Sequence, residues 1–505
     1  MSNDIYSYHN FLFPFRFDKI IYEGIKDKHN FYKEKTFDDR VLIDNGLRGS
    51  LKTDGWIYKK FKVGNASDYN EMVYFHDFVK DTLFNTKDFN ENDKASSYYF
   101  SKATHCGDMF ILNIKGGKEY ELKLKSLSLR IFDTGVAILS IELENDRYDS
   151  ISDILKINDF GRRIYPQYLD QGNFSEQTKK SFLADKIEIR LGDKSFCEDF
   201  DYDIFPPEIK IASYIMNILG DTFTENIENI DKYYIQPSVD DRMFVICWYK
   251  NSAISQSLKD YKYRRSSRWY EYVFVDGNGK TVQSTEMQNE LIEEATYHRW
   301  MEWGTLYGMS RYSFVCLANS DFPLPHMKTM YFQMFTLLLA QRASILRFSD
   351  EITALSDIES KNLNSKTSSL YKNYIRFVNK LYFREVTPQD QGLEIYNQAR
   401  DILRIDSDIK DLDREIDELY RYASMLEENE RTAKMDRLTR LGYIFLPATF
   451  VAGFFGMNTF GSGWLDNVGG FVLSVALIGC ATWFVARRNG IEIREFFTKE
   501  KNERK

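Results

Sequence analysis

Apolar and polar residues alternate through the first part of the chain. LKLKSLSLRIFDTGVAILSIELEN, Leu122 to Asn145, is rich in β-branched types and breaks at Asp133-Thr134-Gly135. A period of two on either side of such a break predicts two strands about a turn. KIEIRLGD (Lys186–Asp193) and RMFVICWYK (Arg242–Lys250) predict further strands. RRSSRWYEYVFVDGNGKTVQS (Arg264–Ser284) reads as a hairpin around Asp276-Gly277-Asn278-Gly279. That D-G-N-G run resembles the start of a calcium loop but lacks the later ligands, so it reads as a turn.

Towards the end of the chain the period changes to three and four. Ile402, Ile405, Ile409, Leu412, Ile416, Leu419, Ala423 and Leu426 form a heptad seam with charges between them. No proline interrupts Asp401–Phe445. Continued to Met457, this helix would run about 84 Å at about 1.5 Å per residue. It reads equally as a rod that transmits motion, a static stalk, or one arm of a hairpin packed on Phe377–Tyr382. Met327–Ile352 also reads as helix; its apolar portion is short and carries Arg342, which predicts a buried helix instead of a span. The fold class expected is an α/β domain followed by long α-helices.

Two runs carry no charge at all. They are LGYIFLPATFVAGFFGM (Leu441–Met457) and VGGFVLSVALIGCATWFV (Val468–Val485), in a chain that is 28% charged. Each approaches the roughly 20 residues that cross a bilayer as a helix. Two transmembrane helices are expected, with a pair of buried core helices as the alternative. Arg437 and Arg440 precede the first run and Arg487-Arg488 follow the second, so both termini are expected on the cytoplasmic side and the short loop 458–467 outside. The expected division is 1–325 an α/β domain, 326–440 long helices and stalk, 441–457 the first span, 458–467 the loop, 468–485 the second span and 486–505 a basic tail.

Two helices cannot enclose a water-filled path, so conduction would need several copies around an axis. The first run is the better pore lining, because Gly442, Gly453 and Gly456 permit close helix packing. Met435, Leu438, Gly442, Leu446, Thr449, Gly453 and Gly456 share one helix face. Rings of Leu438 and Leu446 could close a pore by dewetting, and a ring of Asn458 amides could hold a hydrated cation. Magnesium suits such a ring because it dehydrates reluctantly. Taken alone, Asn458 reads better as a helix C-cap.

Composition narrows the field. The 505 residues predict two or more structural units. A net charge of −8 argues against nucleic acid as the main partner, since phosphate binding needs concentrated basic surface. The five scattered cysteines make no C-x-x-C and the six histidines have no metal-ligand spacing, so neither a structural zinc site nor a disulfide framework is expected. MSNDIYSYHN does not begin as a secretory leader does. No Walker motif, G-x-G-x-x-G, catalytic triad or paired acid–base set stands out, so an enzyme is not expected.

LTRLGYIFLPATFVAGFFGMN, Leu438 to Asn458, resembles the first transmembrane helix of the CorA divalent-cation transporter family. Gly456-Met457-Asn458 matches that family's signature triplet, and FREVTPQDQGLEIYNQARD (Phe383–Asp401) resembles its last cytoplasmic helices. The resemblance covers residues 325 to 488 and is faint before them. It implies a funnel-shaped homopentamer in the plasma membrane, with five first helices lining a pore for magnesium or another divalent cation. Asn458 then matches the outer ring and the ion-holding position. Thr449, Leu446 and Leu438 match deeper lining positions, and Thr432 stands at the inner mouth. One departure is clear: the family's loop continues Met-Pro-Glu, and here TFGSGWLDNV follows the triplet, with Asp466 its one acid.

The part before residue 325 is much longer than is typical of the family, which suggests an added task. Two stretches there mix arginine with aromatic residues. INDFGRRIYPQY (Ile157–Tyr168) carries Arg162 and Arg163, and YKYRRSSRWY (Tyr261–Tyr270) carries Arg264, Arg265 and Arg268. Such groups can hold a phosphate and stack a base; each also reads as a solvated basic loop. The chain resembles, in size and layout, the enlarged CorA-like proteins encoded beside type III CRISPR systems. That resemblance implies an antiviral membrane effector gated by a nucleotide second messenger, an S-adenosylmethionine–AMP conjugate, which the five arginines would contact. A membrane-anchored enzyme has no catalytic constellation to support it.

Overall fold

The computed structural model describes residues 4–19, 45–84, 96–114, 117–165, 184–200, 210–229, 232–277, 279–356 and 360–456, with 472, 475–480, 483–484 and 487. The chain divides into two compact units: Met1–Asp357 with Ser369–Ile416, and Ile358–Ser368 with Asp417–Lys505.

The first unit is built on a mixed sheet of fourteen described strands. In chain order they are β1 (Ser7–Lys19), β2 (Trp56–Tyr58), β3 (Ser97–Lys102), β4 (Met109–Asn113), β5 (Glu119–Phe132), β6 (Val136–Asn145), β7 (Lys186–Leu191), β8 (Lys194–Asp199), β9 (Phe223–Thr224), β10 (Tyr233–Pro237), β11 (Phe244–Lys250), β12 (Thr296–Tyr297), β13 (Thr305–Met309) and β14 (Ser313–Ala318). The order along the main path is β12-β13-β14-β11-β1-β6-β5-β4-β7-β8. β1 is its spine, antiparallel to β6 from Ser7 to Arg16, to β11 over Ser7–Leu12 and to β10 over Phe15–Lys19. Its residues Phe11, Leu12, Phe13 and Phe15 are fully buried on both faces, as a central strand requires.

The expected strands at Leu122–Asn145 are β5 and β6, turning at Gly135, whose φ of 77° suits glycine. Those at Lys186–Asp193 and Arg242–Lys250 are β7 and β11.

The hairpin expected at Arg264–Ser284 is instead a helix, Ser267–Phe274. Ser266 caps it: its Oγ accepts from the Trp269 amide at 3.2 Å, filling one of the orphan donors of the first turn. Val275, at φ 57°, closes it in the left-handed conformation. Trp269, Tyr270, Tyr272 and Val273 are all buried, so the run that looked like a strand is a helix enclosed by its neighbours.

Helices follow the sheet. Met330–Ser356 is the buried helix expected: Leu337, Leu338, Leu339 and Ala340 are inaccessible. Thr134 Oγ1 in the β5–β6 turn and Ser344 Oγ lie 2.7 Å apart, which pins this helix to the sheet. Next come Ser360–Lys380, Asp390–Ile402 and Ile405–Gly456.

The long helix does not begin at Asp401. Arg404 sits at φ 58°, so the backbone turns once before Ile405 starts a fresh helix. Arg400 and Tyr382 brace this joint, the Tyr382 hydroxyl donating to Asp406 Oδ1 at 3.0 Å and Arg400 pairing with the same carboxylate. Within the first unit the heptad seam is buried at Ile405, Ile409, Leu412 and Ile416. Tyr374, from the Ser360–Lys380 helix, donates to Asp413 at 3.2 Å, so two arms of a helical hairpin meet there.

In the second unit Asn364 Nδ2 donates to the Glu427 carboxylate and Ala423 is buried. Beyond Ala423 the long helix becomes exposed. Thr432, Leu438, Leu446 and Thr449 all face open space.

The two expected membrane spans are described only in part. Among the described residues no helix is long and apolar enough to cross a membrane. The first run is helical from Leu441 to Gly456, one residue short of its expected end. Of Val468–Val485 only residues 472, 475–480 and 483–484 are described. Met457, Asn458, the loop 458–467 and all of the 486–505 tail but Arg487 lie outside the described residues.

Candidate functional site

The last turns of the long helix hold the described part of the expected pore-lining set. One turn is 3.6 residues, so Thr432, Leu438, Gly442, Leu446, Thr449, Gly453 and Gly456 recur along one side. Leu438 is 63% and Leu446 67% accessible, values unlike those of leucines in a finished interior. Phe445 and Phe450 are similarly exposed. Contiguous exposure of large apolar side chains marks a surface that another protein or lipid covers.

The glycines carry a second observation. A Cβ built on Gly442 or Gly453 would meet nothing within 4 Å. By contrast a Cβ on Gly308, between β13 and its helix cover, would lie 2.3 Å from Val273 Cγ2. Gly308 is explained by packing inside the chain. Among the described residues nothing accounts in the same way for Gly442 and Gly453.

Thr449 Oγ1 donates to the Phe445 carbonyl at 2.8 Å. This bond leaves the hydroxyl lone pairs directed away from the helix, where they can accept from a hydrated ion. Gly456 ends the described helix, and Met457 and Asn458 follow it outside the described residues. Among the described residues no group of three or more His, Cys, Asp or Glu is arranged to hold a metal ion.

The five arginines stand in two different settings. Arg162 and Arg163 close the helix Ile151–Gly161 and are each 2% accessible. Arg162 lies 5.5 Å from the Tyr312 ring centre and 3.6 Å from Asp159 Oδ1, while its Nε and Nη1 have no hydrogen-bond partner. Burial lowers its pKa, and Asp159 offsets part of that. Arg163 is pushed down to about 10, by burial first and then by the neighbouring Arg242. The cavity lined by Arg242, Arg311 and Tyr312 measures only about 10 Å³, the room of a single water. Arg264, Arg265 and Arg268 lie at the surface: Arg264 pairs with Glu293 at 2.6 Å, Arg268 reaches Glu271 at 3.1 Å, and Arg265 is exposed.

Two features escaped the sequence reading. One is Arg347, inside the Met330–Ser356 helix, which binds the end of β1. The other is the basic run Lys59-Lys60-Phe61-Lys62 after β2, whose alternation of charge and ring was its only mark.

Residues 326–488 match the family model described as CorA-like Mg2+ transporter protein. The match has the extent that the sequence resemblance led us to expect and leaves the sheet outside it. No curated protein matches the chain.

Proposed function

We propose that this chain, whose residues 326–488 form a CorA-like Mg2+ transporter domain, is one subunit of an oligomeric membrane pore for divalent cations. The observation that carries this reading is the exposed face of the Ile405–Gly456 helix. Apolar side chains and glycines alternate along it, and nothing among the described residues covers them. In the proposed assembly five copies place these faces around a common axis. Leu438 and Leu446 form apolar constrictions, Thr449 offers hydroxyls, and Gly456-Met457-Asn458 forms the outer mouth. An amide ring there binds the outer oxygens of a hydrated ion without stripping its water, which is the chemistry magnesium requires.

The surrounding lipid covers Phe445, and the uncharged runs cross the inner membrane with both termini on the cytoplasmic side. The sheet of the first unit serves as the regulatory part. Its link to the transporter domain is covalent and also physical, because Arg347 and Ser344 of the Met330–Ser356 helix are bonded into it.

Leu446→Cys tests the arrangement. Five sulfurs around a narrow axis cross-link to dimers on mild oxidation in native membranes. A cysteine at Phe445, about 100° round the helix, cross-links less. Equal cross-linking at both positions would remove Leu446 from the axis.

A further inference from the structure

A cavity of about 220 Å³ opens in the first unit, away from both arginine groups. It lies where the loop after β2, the helix Ala66–Val73, the end of the helix Asp77–Leu83, strands β3 and β5, and the Met330–Ser356 helix converge. Its chemistry is divided. One side is cationic: Lys59 and Lys62 are exposed at the rim, Lys60 stands beside them, and Arg130 forms the floor. The other side is made of rings, Phe61 and Phe84 with centroids 4.6 Å apart, and Tyr99.

Arg130 is the telling residue. It is 4% accessible, and Nη1 donates to the Leu83 carbonyl at 2.9 Å, but Nε has no partner. Its guanidinium lies 5.2 Å from the Tyr99 ring centre, within cation–π reach. A buried guanidinium with an unspent donor at the bottom of a cavity is held for an anion that enters from outside. Gln333 supplies the complementary feature. Its Nε2 donates to Glu71 Oε1 at 2.6 Å and its Oε1 is buried without a donor. The cavity thus offers cations, flat apolar walls and one waiting acceptor; the two carboxylates that also line it are engaged, Asp68 Oδ2 accepting from the Gly64 amide at 3.0 Å and Glu71 from Gln333.

We propose that this cavity is a binding site for a small organic phosphate. Its phosphate lies on Arg130, Lys59 and Lys62. Its ring lies against Phe61, Phe84 and Tyr99, with a ring N–H directed to Gln333 Oε1. Gln333 belongs to the first long helix of the CorA-like segment, whereas every other wall lies before that segment. A ligand here therefore touches both the added domain and the transporter domain, and the proposal holds whether or not the chain conducts ions.

The test is calorimetric titration of the purified full chain with ATP and, separately, with inorganic pyrophosphate as probes. ATP is expected to bind saturably, one per chain, and about tenfold more tightly than pyrophosphate, which leaves the rings unused. Because truncating Arg130 could disturb folding through Leu83, the exposed pair Lys59→Glu with Lys62→Glu is the primary variant. It is expected to weaken both ligands about tenfold or more. Phe61→Ala should weaken ATP alone. No saturable binding of either probe at millimolar concentration, or ATP binding unchanged in the double lysine variant, would overturn the assignment.

Discussion

Arg347 Nη2 and Asp18 Oδ1 lie 2.5 Å apart in the interior of the first unit. The pair joins the Met330–Ser356 helix to the last turn of β1. Arg347 spends its other donors on the Phe17 and Gly135 carbonyls at 3.1 and 2.7 Å and on Glu351 at 2.9 Å. Burial works against its charge, but Asp18 and Glu351 more than compensate, and its pKa rises. Glu351 is raised by burial, with Arg347 pulling the other way. Removing the guanidinium leaves two partly buried carboxylates without the cation that both of them face.

Arg347→Ala is therefore expected to cost about 3–5 kcal/mol, the range for breaking one side of a buried pair. Arg264→Ala, which removes an exposed partner of Glu293, should cost less than about 1 kcal/mol. Urea denaturation followed by tryptophan fluorescence separates the two. Equal losses would mean that Arg347 does not clamp the helix to the sheet.

A pH dependence follows from His9. Its ring is buried in β1, with Nδ1–H donating to Asn158 Oδ1 at 2.7 Å and Nε2 accepting from Ser7 Oγ at 2.8 Å. Burial pushes its pKa down from 6.5 to about 4. Between those values the unfolded chain binds more protons, so His9's contribution is complete above 6.5 and is lost as pH falls towards 4. The loss amounts to about 3 kcal/mol at about 1.4 kcal/mol per pH unit. Asp240 acts in the opposite sense. Burial and Asp241 hold it up at about 6, so the native state binds its proton more tightly and that contribution weakens as pH rises through 6. Comparing the wild-type protein with His9→Gln isolates the first effect: the stability gap between them should narrow as pH falls from 7 to 4.5. A constant gap would show that His9 charges in place.

Glycines give a contrast between packing within the chain and packing between chains. Gly308→Ala should destabilise the first unit by about 1–3 kcal/mol, because its methyl overlaps Val273. A Cβ on Gly442 meets nothing within 4 Å among the described residues, and Gly442 lies in the second unit, so Gly442→Trp should leave the melting of the first unit unchanged. Magnesium uptake should nonetheless fall about tenfold or more, since helices can no longer close on that notch. Uptake unchanged by the tryptophan would place Gly442 away from any helix contact.

Some of this was legible in the sequence and some was not, for physical reasons. β5 and β6 were visible because alternation and a glycine turn coincide in Leu122–Asn145. The helix Ser267–Phe274 was not, because its polar positions, Ser267, Arg268 and Glu271, are too few in eight residues to set a helical period against aromatic and β-branched neighbours that favour strands. The turn at Arg404 was hidden since arginine has no preference for positive φ and the heptad pattern runs straight across it. The burial of Arg162 and Arg163 could not be read from residues whose usual place is the surface. The phosphate cavity draws on Lys59, Tyr99, Arg130 and Gln333, which only the fold brings together. The shared face of Leu438, Gly442, Leu446, Thr449 and Gly453 was legible as spacing, and its exposure came from the structure.

The most direct test of the central claim is magnesium flux into proteoliposomes containing the purified protein, compared with Asn458→Ala in the same lipid. Wild-type flux is expected to exceed that of protein-free vesicles, with magnesium passage markedly changed when the amide is removed. Flux indistinguishable from empty vesicles under every ligand and potential tested, or flux that the alanine leaves untouched, would contradict a divalent-cation pore with Asn458 at its mouth.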